Sequence, residues 1–320
     1  MPKLIIQIPC LDEEATLPRT LAELPREVDG FDRVEWLVID DGSSDRTVAV
    51  ARAHGVDHVV RFAEHHGLAA AFQAGLDAAL KLGADVIVNT DADNQYRGAD
   101  VPRLVAPILA GRADLVVGDR DVRTSAHFSA RKRGLSRLGS WLVRRASSTR
   151  VADAASGFRA LNREAAIQTH VVSTYTYTLE SLIAAGRTPV AVAHVPVRTN
   201  PDTRPSRLFP SLWTYVRRNG LSIFRIYAQH EPLRVFLAGA LLVGLAGVGL
   251  AFVSLVAGAV LLGAAALLAG LGVLGDLLYA QRVLTQRTLE RARRIELALG
   301  VPPSNHENGS RNANAHATRR

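Results

Sequence analysis

Short apolar runs recur along the first two hundred residues, separated by polar or helix-forming stretches. Leu4-Ile5-Ile6-Gln7-Ile8, Trp36-Leu37-Val38-Ile39, His58-Val59-Val60, Val86-Ile87-Val88 and Leu115-Val116-Val117 each read as a buried strand. Between two of them, GLAAAFQAGLDAALKLG (67–83) has the Ala and Leu content of a helix and a closing Gly83 to stop it. A last strand is expected over 191–197. Strands alternating with helices predict an α/β domain with a mostly parallel sheet. The prolines and polar residues of RTNPDTRPSRLF then mark a boundary.

The pattern changes beyond that boundary. SLWTYVRRNGLSIFRIYAQHEP interleaves aromatic residues and arginines, as helices lying in a membrane interface do. Residues 235–275 contain no charged side chain. As one helix this run would be about 60 Å long, twice a hydrocarbon core of about 30 Å. It therefore predicts two transmembrane helices with a turn near Ser254 to Gly258. Gly239, Gly244, Gly247 and Gly258 are small enough to let them approach. The divisions are an α/β domain over 1–206, interfacial helices over 207–232, two spanning helices over 233–278, a basic cytosolic helix over 279–300 and a disordered tail over 301–320. The N-terminal MPKLIIQIPCLDEE has too short an apolar segment to read as a secretory signal.

Charge adds to this picture. The 320 residues carry a formal net charge of +8. The excess lies in Arg131-Lys132-Arg133 and its neighbours, and on both sides of the apolar run, at Arg217, Arg218, Arg225 and Arg234, then Arg282, Arg287, Arg291, Arg293 and Arg294. Basic residues bordering membrane segments suit cytoplasmic retention and anionic headgroups, so no nucleic-acid partner is expected. Both ends of the helix pair are expected in the cytosol, in a multi-pass cell-membrane protein. Cys10 is the only cysteine, which excludes an intramolecular disulfide and a multi-cysteine zinc site.

Candidate chemistry sits where the predicted strands end. Pro9 to Glu14 follow the first, Asp40-Asp41 the second, and NTDADNQY the fourth. If the chain stays extended past Val88, Asp91 and Asp93 share a face. Two adjacent anions need a cation or hydrogen-bonding ligand to offset their repulsion, and a hard divalent metal carrying phosphate is one candidate. Taken alone, the octapeptide fits a solvated turn as well. Three acidic strand ends at the carboxyl edge of one sheet, where such folds bind ligands, favour a site. Glu13-Glu14 also suit a helix N-terminus, and Ser44-Asp45 a helix cap.

VIDDGSSDRT, NTDADNQY and ASGFRALNREA, in this order and followed by apolar spans, resemble family 2 glycosyltransferases, and among them the polyprenyl-phosphate sugar synthases. The resemblance implies a GT-A nucleotide-sugar-binding domain and transfer of a sugar, with inversion, from a GDP-mannose or UDP-glucose type donor to polyprenyl phosphate. Donor-binding positions carried over are Pro9, Glu13, Asp40, Asp41, Asp91, Ala92, Asp93 and, in a late Ser-Arg pair, Arg207. Asp91, Asp93 and Gln95 match the metal-binding positions for Mg2+ or Mn2+. Arg120, Arg131, Arg133, Ser136 and Arg159 are candidates for the acceptor phosphate, with Asp91, Asp93, Arg120 and Arg131 central to catalysis. The chain departs from the family pattern at Leu11, Asp12 and His65-His66, the histidines reading as surface residues at a helix start. A homo-oligomer is left open. A processive polysaccharide synthase is disfavoured by the lack of a Gln-x-x-Arg-Trp string, and a non-catalytic nucleotide-sugar sensor by the retained Asp91, Asp93 and Gln95.

Overall fold

The computed structural model describes residues 2–120, 151, 153–171, 177–186, 188–201, 227–229 and 231–308. Arg131, Arg133, Ser136, Arg207 and most of the interfacial segment lie outside the described residues. The chain separates into two compact units, Met1–Leu212 with Arg293–Arg320, and Trp213–Ala292.

The first unit is built on one sheet. Its strands are β1 (Lys3–Cys10), β2 (Arg33–Asp40), β3 (His58–Arg61), β4 (Val86–Asn89), β5 (Leu115–Asp119), β6 (Arg159–Asn162), β7 (Val192–Pro196) and β8 (His306–Asn308), in the order β7-β5-β6-β4-β1-β2-β3-β8. All the expected strands form. β1 pairs in parallel with β2 and β4, β2 with β3, and β5 with β7. Leu4, Ile5, Ile6 and Ile8 are fully buried, because a central parallel strand is covered on both faces. The helix expected over 67–83 runs as Leu68–Lys81, and Gly83 follows it at φ 85°, the left-handed conformation of a helix stop.

Two strands depart from expectation. β6 lies antiparallel between β4 and β5. It was legible only as a motif, since Arg159-Ala160-Leu161-Asn162 has little apolar character, and its polar ends are satisfied locally. Asn162 accepts from the Ala165 N–H (2.8 Å) and caps the next helix, Arg163–Gln168. The tail expected to be disordered from 301 is corrected over its first residues, because β8 pairs antiparallel with β3. His58 Nδ1 lies 3.1 Å from His306 Nε2, and His58 Nε2 lies 2.7 Å from Glu35.

The second unit contains the helices Pro232–Ala251 and Leu255–Ala298, both long and apolar enough to cross a membrane. The break at residues 252–254 meets the expected turn only at Ser254, and Leu255 to Gly258 are already helical. Leu242 and Phe252 are 70% and 89% exposed, so the large apolar side chains of these helices are not buried within the chain. Small residues make the contact between them. A Cβ at Gly258 would lie 2.5 Å from the Ala251 Cβ, and one at Gly247 3.0 Å from the Leu261 Cβ. Gly239 has nothing within 4 Å, so its expected role in the contact is not realised. The basic helix expected over 279–300 is not separate: it continues the second apolar helix without a break to Ala298. From Arg293 onward it belongs to the first unit. There Arg293 donates to the carbonyls of Ala166, Ile167 and Thr169, and Glu296 pairs with Lys81 at 3.0 Å.

Candidate active site

The loops after β1, β2 and β4 meet at the carboxyl edge of the sheet. The first two are cross-linked. Asp12 donates its N–H to Ser43 Oγ (2.9 Å) and accepts from the Ser44 N–H (2.8 Å). Glu13 donates its N–H to Thr47 Oγ1 (2.8 Å), Glu14 to Asp45 (3.0 Å), and the Arg46 N–H returns to Glu14 (3.0 Å). Asp12, Glu14 and Asp45 thus fasten the two loops together. Burial works against the Asp45 carboxylate, but the Thr47 hydroxyl and nearby backbone N–H groups hold its pKa below the usual range. Asp12, an αL residue at φ 51°, supports the turn that an Asn would also tolerate.

Asp40 and Asp41 are buried and play different parts. Asp41 accepts from the His66 N–H (2.8 Å) and the Gly67 N–H (2.9 Å), and pairs with His65 Nδ1 at 2.8 Å. Its carboxylate shapes the 65–67 loop, a role the motif did not reveal. His65 and His66 are exposed just before the helix start, as expected. Asp40 accepts from the Ser43 N–H at 3.3 Å and faces Arg61 Nε at 3.3 Å. Gly42, at φ 77°, is required just after the two aspartates: a Cβ there would lie 2.7 Å from the Glu64 backbone. Pro9 is the penultimate residue of β1, opposite Ile39, and Glu13 is buried with its carbonyl opening the first helix, Leu17–Glu23.

After β4 the chain turns sharply. Ala92 is buried and its carbonyl accepts from Thr20 Oγ1 (2.9 Å), Asp93 accepts from the Gln95 N–H (3.1 Å), and Asn94 sits at φ 58°. The Asp91 carboxyl is pushed up to about 7, by burial and then by the Asp93 charge, with Arg120 opposing. Beneath it runs a buried polar ladder. Gln7 donates to Asn89 (2.9 Å), and Asn89 donates to the Gly157 carbonyl (2.8 Å) and Tyr177 Oη (3.0 Å). Gly157 is needed because a Cβ would lie 2.8 Å from Tyr177 Oη and 2.9 Å from Asp91 Oδ1.

The arginines divide. Arg120 donates Nε and Nη2 to Asp153 at 2.6 and 3.1 Å, in the bidentate geometry that fixes a guanidinium plane. Its side chain is a quarter exposed and lies 6.0 Å from the Tyr96 ring. Arg159 is corrected: at 1% exposure it donates to Ser156 O (2.9 Å), Ser181 Oγ (2.7 Å) and Ala154 O (2.9 Å), so it braces the loop below the site instead of meeting a phosphate. Asp153, Tyr96 and Gly157 were missed as site residues. Tyr96 and Gly157 lay inside the quoted motifs, but nothing local tied Asp153 to Arg120, 33 residues away.

Asp91, Asp93 and Gln95 offer two carboxylates and an amide, all oxygen donors. Among the described residues no group of three His, Cys, Asp or Glu side chains could hold a metal ion. The donor set and the raised Asp91 carboxyl fit a hard divalent cation whose shell is completed by a diphosphate.

Comparison with known proteins gives the family. An uncharacterized glycosyltransferase of Mycobacterium tuberculosis is 34% identical over 62% of this chain and 85% of its own length. Polyprenol monophosphomannose synthase of Mycolicibacterium smegmatis is 32% identical over 50% of this chain and 62% of that protein. Undecaprenyl-phosphate mannosyltransferase of Micrococcus luteus is 28% identical over 59% of this chain and 80% of that protein. The crystal structure of glucosyl-3-phosphoglycerate synthase from Mycobacterium tuberculosis with Mn2+, UDP and glucosyl-3-phosphoglycerate superposes with a TM-score of 0.54. It is 26% identical, and the match covers 69% of this chain and 80% of that one. Residues 5–169 match the model of Glycosyl transferase family 2, and the chain belongs to that family.

Proposed function

We propose that this glycosyltransferase moves a sugar from a nucleotide-sugar to polyprenyl phosphate at a membrane, with Mg2+ or Mn2+ bound at Asp91, Asp93 and Gln95. The observation that carries the reading is the pairing, in one chain, of a carboxylate turn facing Arg120 with two helices whose large apolar side chains are exposed. The relatives named polyprenol monophosphomannose synthase and undecaprenyl-phosphate mannosyltransferase support the acceptor class. The metal supplies charge neutralisation at the donor diphosphate.

The protein's residues do the rest by position. Asp40, with Arg61 beside it, faces the nucleoside end of the donor. Asp91 and Asp93 keep the diphosphate end at the turn. Arg120, its plane fixed by Asp153, orients the acceptor phosphate together with Arg131, Arg133 and Ser136. An acceptor phosphate oxygen forms the new bond to the anomeric carbon. The bond from that carbon to the donor diphosphate breaks, its electron pair leaves on the nucleoside diphosphate, and the configuration inverts. A phosphate monoester has a second pKa of about 6, so the attacking oxygen is mostly anionic at neutral pH and needs no general base. Proximity and charge stabilisation are the catalytic terms.

The first apolar helix spans about 30 Å at 1.5 Å per residue, one hydrocarbon thickness. Arg234 near its start and Arg282 and Arg287 in the second helix support a topology with both outer ends in the cytosol, where nucleotide-sugars are supplied. The test is a screen of purified full chain with UDP- and GDP-sugars, polyprenyl phosphate and Mn2+ or Mg2+. Glycolipid product is expected; polymer, or donor binding with no turnover, overturns the reading.

A further inference from the structure

The turn that carries Asp93 and Gln95 is braced from outside as well as from within. Inside it, Asp93 accepts from the Gln95 N–H, and Asn94 takes up a left-handed conformation. The bracing comes from two distant segments. On one side, Glu23, at the end of the first helix, accepts from Asn94 Nδ2 at 3.0 Å. On the other, the chain after β7 runs alongside residues 95–97: Thr199 bridges Tyr96, and the Asn200 N–H donates to the Gln95 carbonyl at 2.9 Å.

Asn200 joins the two sides. Its Nδ2 donates to Glu23 (2.9 Å) and to the Asn94 carbonyl (3.1 Å), and its Oδ1 accepts from Arg97 Nε (3.1 Å). The two oxygens of Glu23 therefore hold Asn94 and Asn200 side by side. The resulting ring of Glu23, Asn94, Asn200 and Arg97 encloses the backbone that sets the separation of Asp93 from Gln95. The approach is tight at its base, where a Cβ at Gly98 would lie 2.1 Å from the Glu23 carbonyl oxygen. An amide suits position 200 because one end must donate to a carboxylate and a carbonyl while the other accepts from a guanidinium.

We propose that Asn200 is a positioning residue for donor-diphosphate and metal binding, acting by fixing the backbone between Asp93 and Gln95. This rests on the assignment of those two residues under Proposed function. Groups that orient ligands without touching the metal commonly change metal affinity by about 10- to 100-fold when removed. A residue that only packed the loop would lower stability and every binding step together.

Titration calorimetry of the full chain in detergent decides this, using UDP and GDP with and without Mn2+, and uridine and guanosine without metal. In the wild type, Mn2+ tightens nucleoside diphosphate binding. N200A weakens that Mn2+-dependent binding by about tenfold, and leaves metal-free nucleoside binding within about twofold. N200D is more defective than N200A by about threefold or more, because it sets a second carboxylate against both Glu23 and the Asn94 carbonyl. In N200D/E23Q, the amide introduced at position 23 donates to the carboxylate introduced at position 200, and Mn2+-dependent binding recovers to about the N200A level but not to wild type, because the Asn94 carbonyl still lacks its donor. Wild-type Mn2+ dependence in N200A overturns the proposal, as does an equal loss of nucleoside binding or a double variant no better than N200D. A wild type with no Mn2+-dependent tightening overturns the metal assignment itself, and this proposal with it.

Discussion

The sheet unit and the helix pair use apolar residues in opposite ways. In the sheet unit Leu4, Ile6, Leu37 and Phe72 are fully buried, and the buried amides of Gln7 and Asn89 are tied to each other and to the Gly157 carbonyl by hydrogen bonds. In the helix pair the large residues, Leu241, Leu242, Leu245 and Leu267, face outward, while Ala240, Gly247, Gly258 and Gly272 are buried. Where the surroundings are themselves apolar, burying leucine gains nothing over leaving it outside, and close approach of backbones drives the contact. With the helix pair in a membrane, as proposed, each unit is folded for a different solvent. The chemistry-bearing residues sit in the unit where hydrogen bonds can fix them.

Four experiments break or sharpen this contrast. The largest effect is expected at the turn after β4. Asp93→Asn keeps the shape and removes the anion, so transfer falls by at least about 100-fold while the unfolding midpoint stays put. An assay with purified chain and polyprenyl phosphate reads this, and Leu242→Ala serves as the control that leaves turnover unchanged. Retained activity in Asp93→Asn would remove the metal assignment.

The same substitution placed in the two units should then differ. Leu37→Ala opens a cavity in the packed sheet and costs about 2–5 kcal/mol of unfolding free energy. Leu242→Ala, with lipid or detergent on its outer side, changes stability by less than about 1 kcal/mol. Denaturant titration in mild detergent measures both. Equal losses would mean the helix pair is packed against something as dense as a protein core.

Small residues in the helix contact give the third contrast. Gly258→Leu drives a side chain into Ala251 and should cost about 1–3 kcal/mol, whereas Gly239→Leu, with open space around it, is neutral. Cross-linking of cysteines placed on the facing helix surfaces reports whether the pair has separated.

Near neutral pH the smallest effect is expected from protonation, and it grows only as pH falls. The His170 imidazole is pushed down to about 4, chiefly by burial and then by the Arg293 charge. Its folded pKa lies below the unfolded value, so the unfolded chain takes up the proton first as pH falls. Stability is intact above about pH 6.5 and is lost progressively down to about pH 4, by no more than ~3 kcal/mol. His170→Gln should flatten the decline over that window in thermal-unfolding scans. A decline of the same size in the variant would place the titration elsewhere.

Local order carried most of the fold. The buried strands, the helix ended by Gly83 and the doubled apolar run all follow from periodicity and length, which neighbouring residues determine among themselves. The acidic strand ends were legible for the same reason, since an alternating strand in a parallel sheet points its last residues at a common edge. Other features depended on partners far along the chain. β6 is a strand because Arg159–Asn162 fits between β4 and β5, not because its composition favours one. β8 exists because His306–Asn308 meets β3, whose His58 lies 248 residues before His306. Asp41 reads as a ligand-facing carboxylate until the 65–67 loop folds onto it, and Arg159 reads as a phosphate contact until Ser181 and two carbonyls occupy it. A side chain's type states which bonds it can make. Only the tertiary structure decides which of them are already taken, because the competing partners arrive from segments whose approach no local pattern encodes.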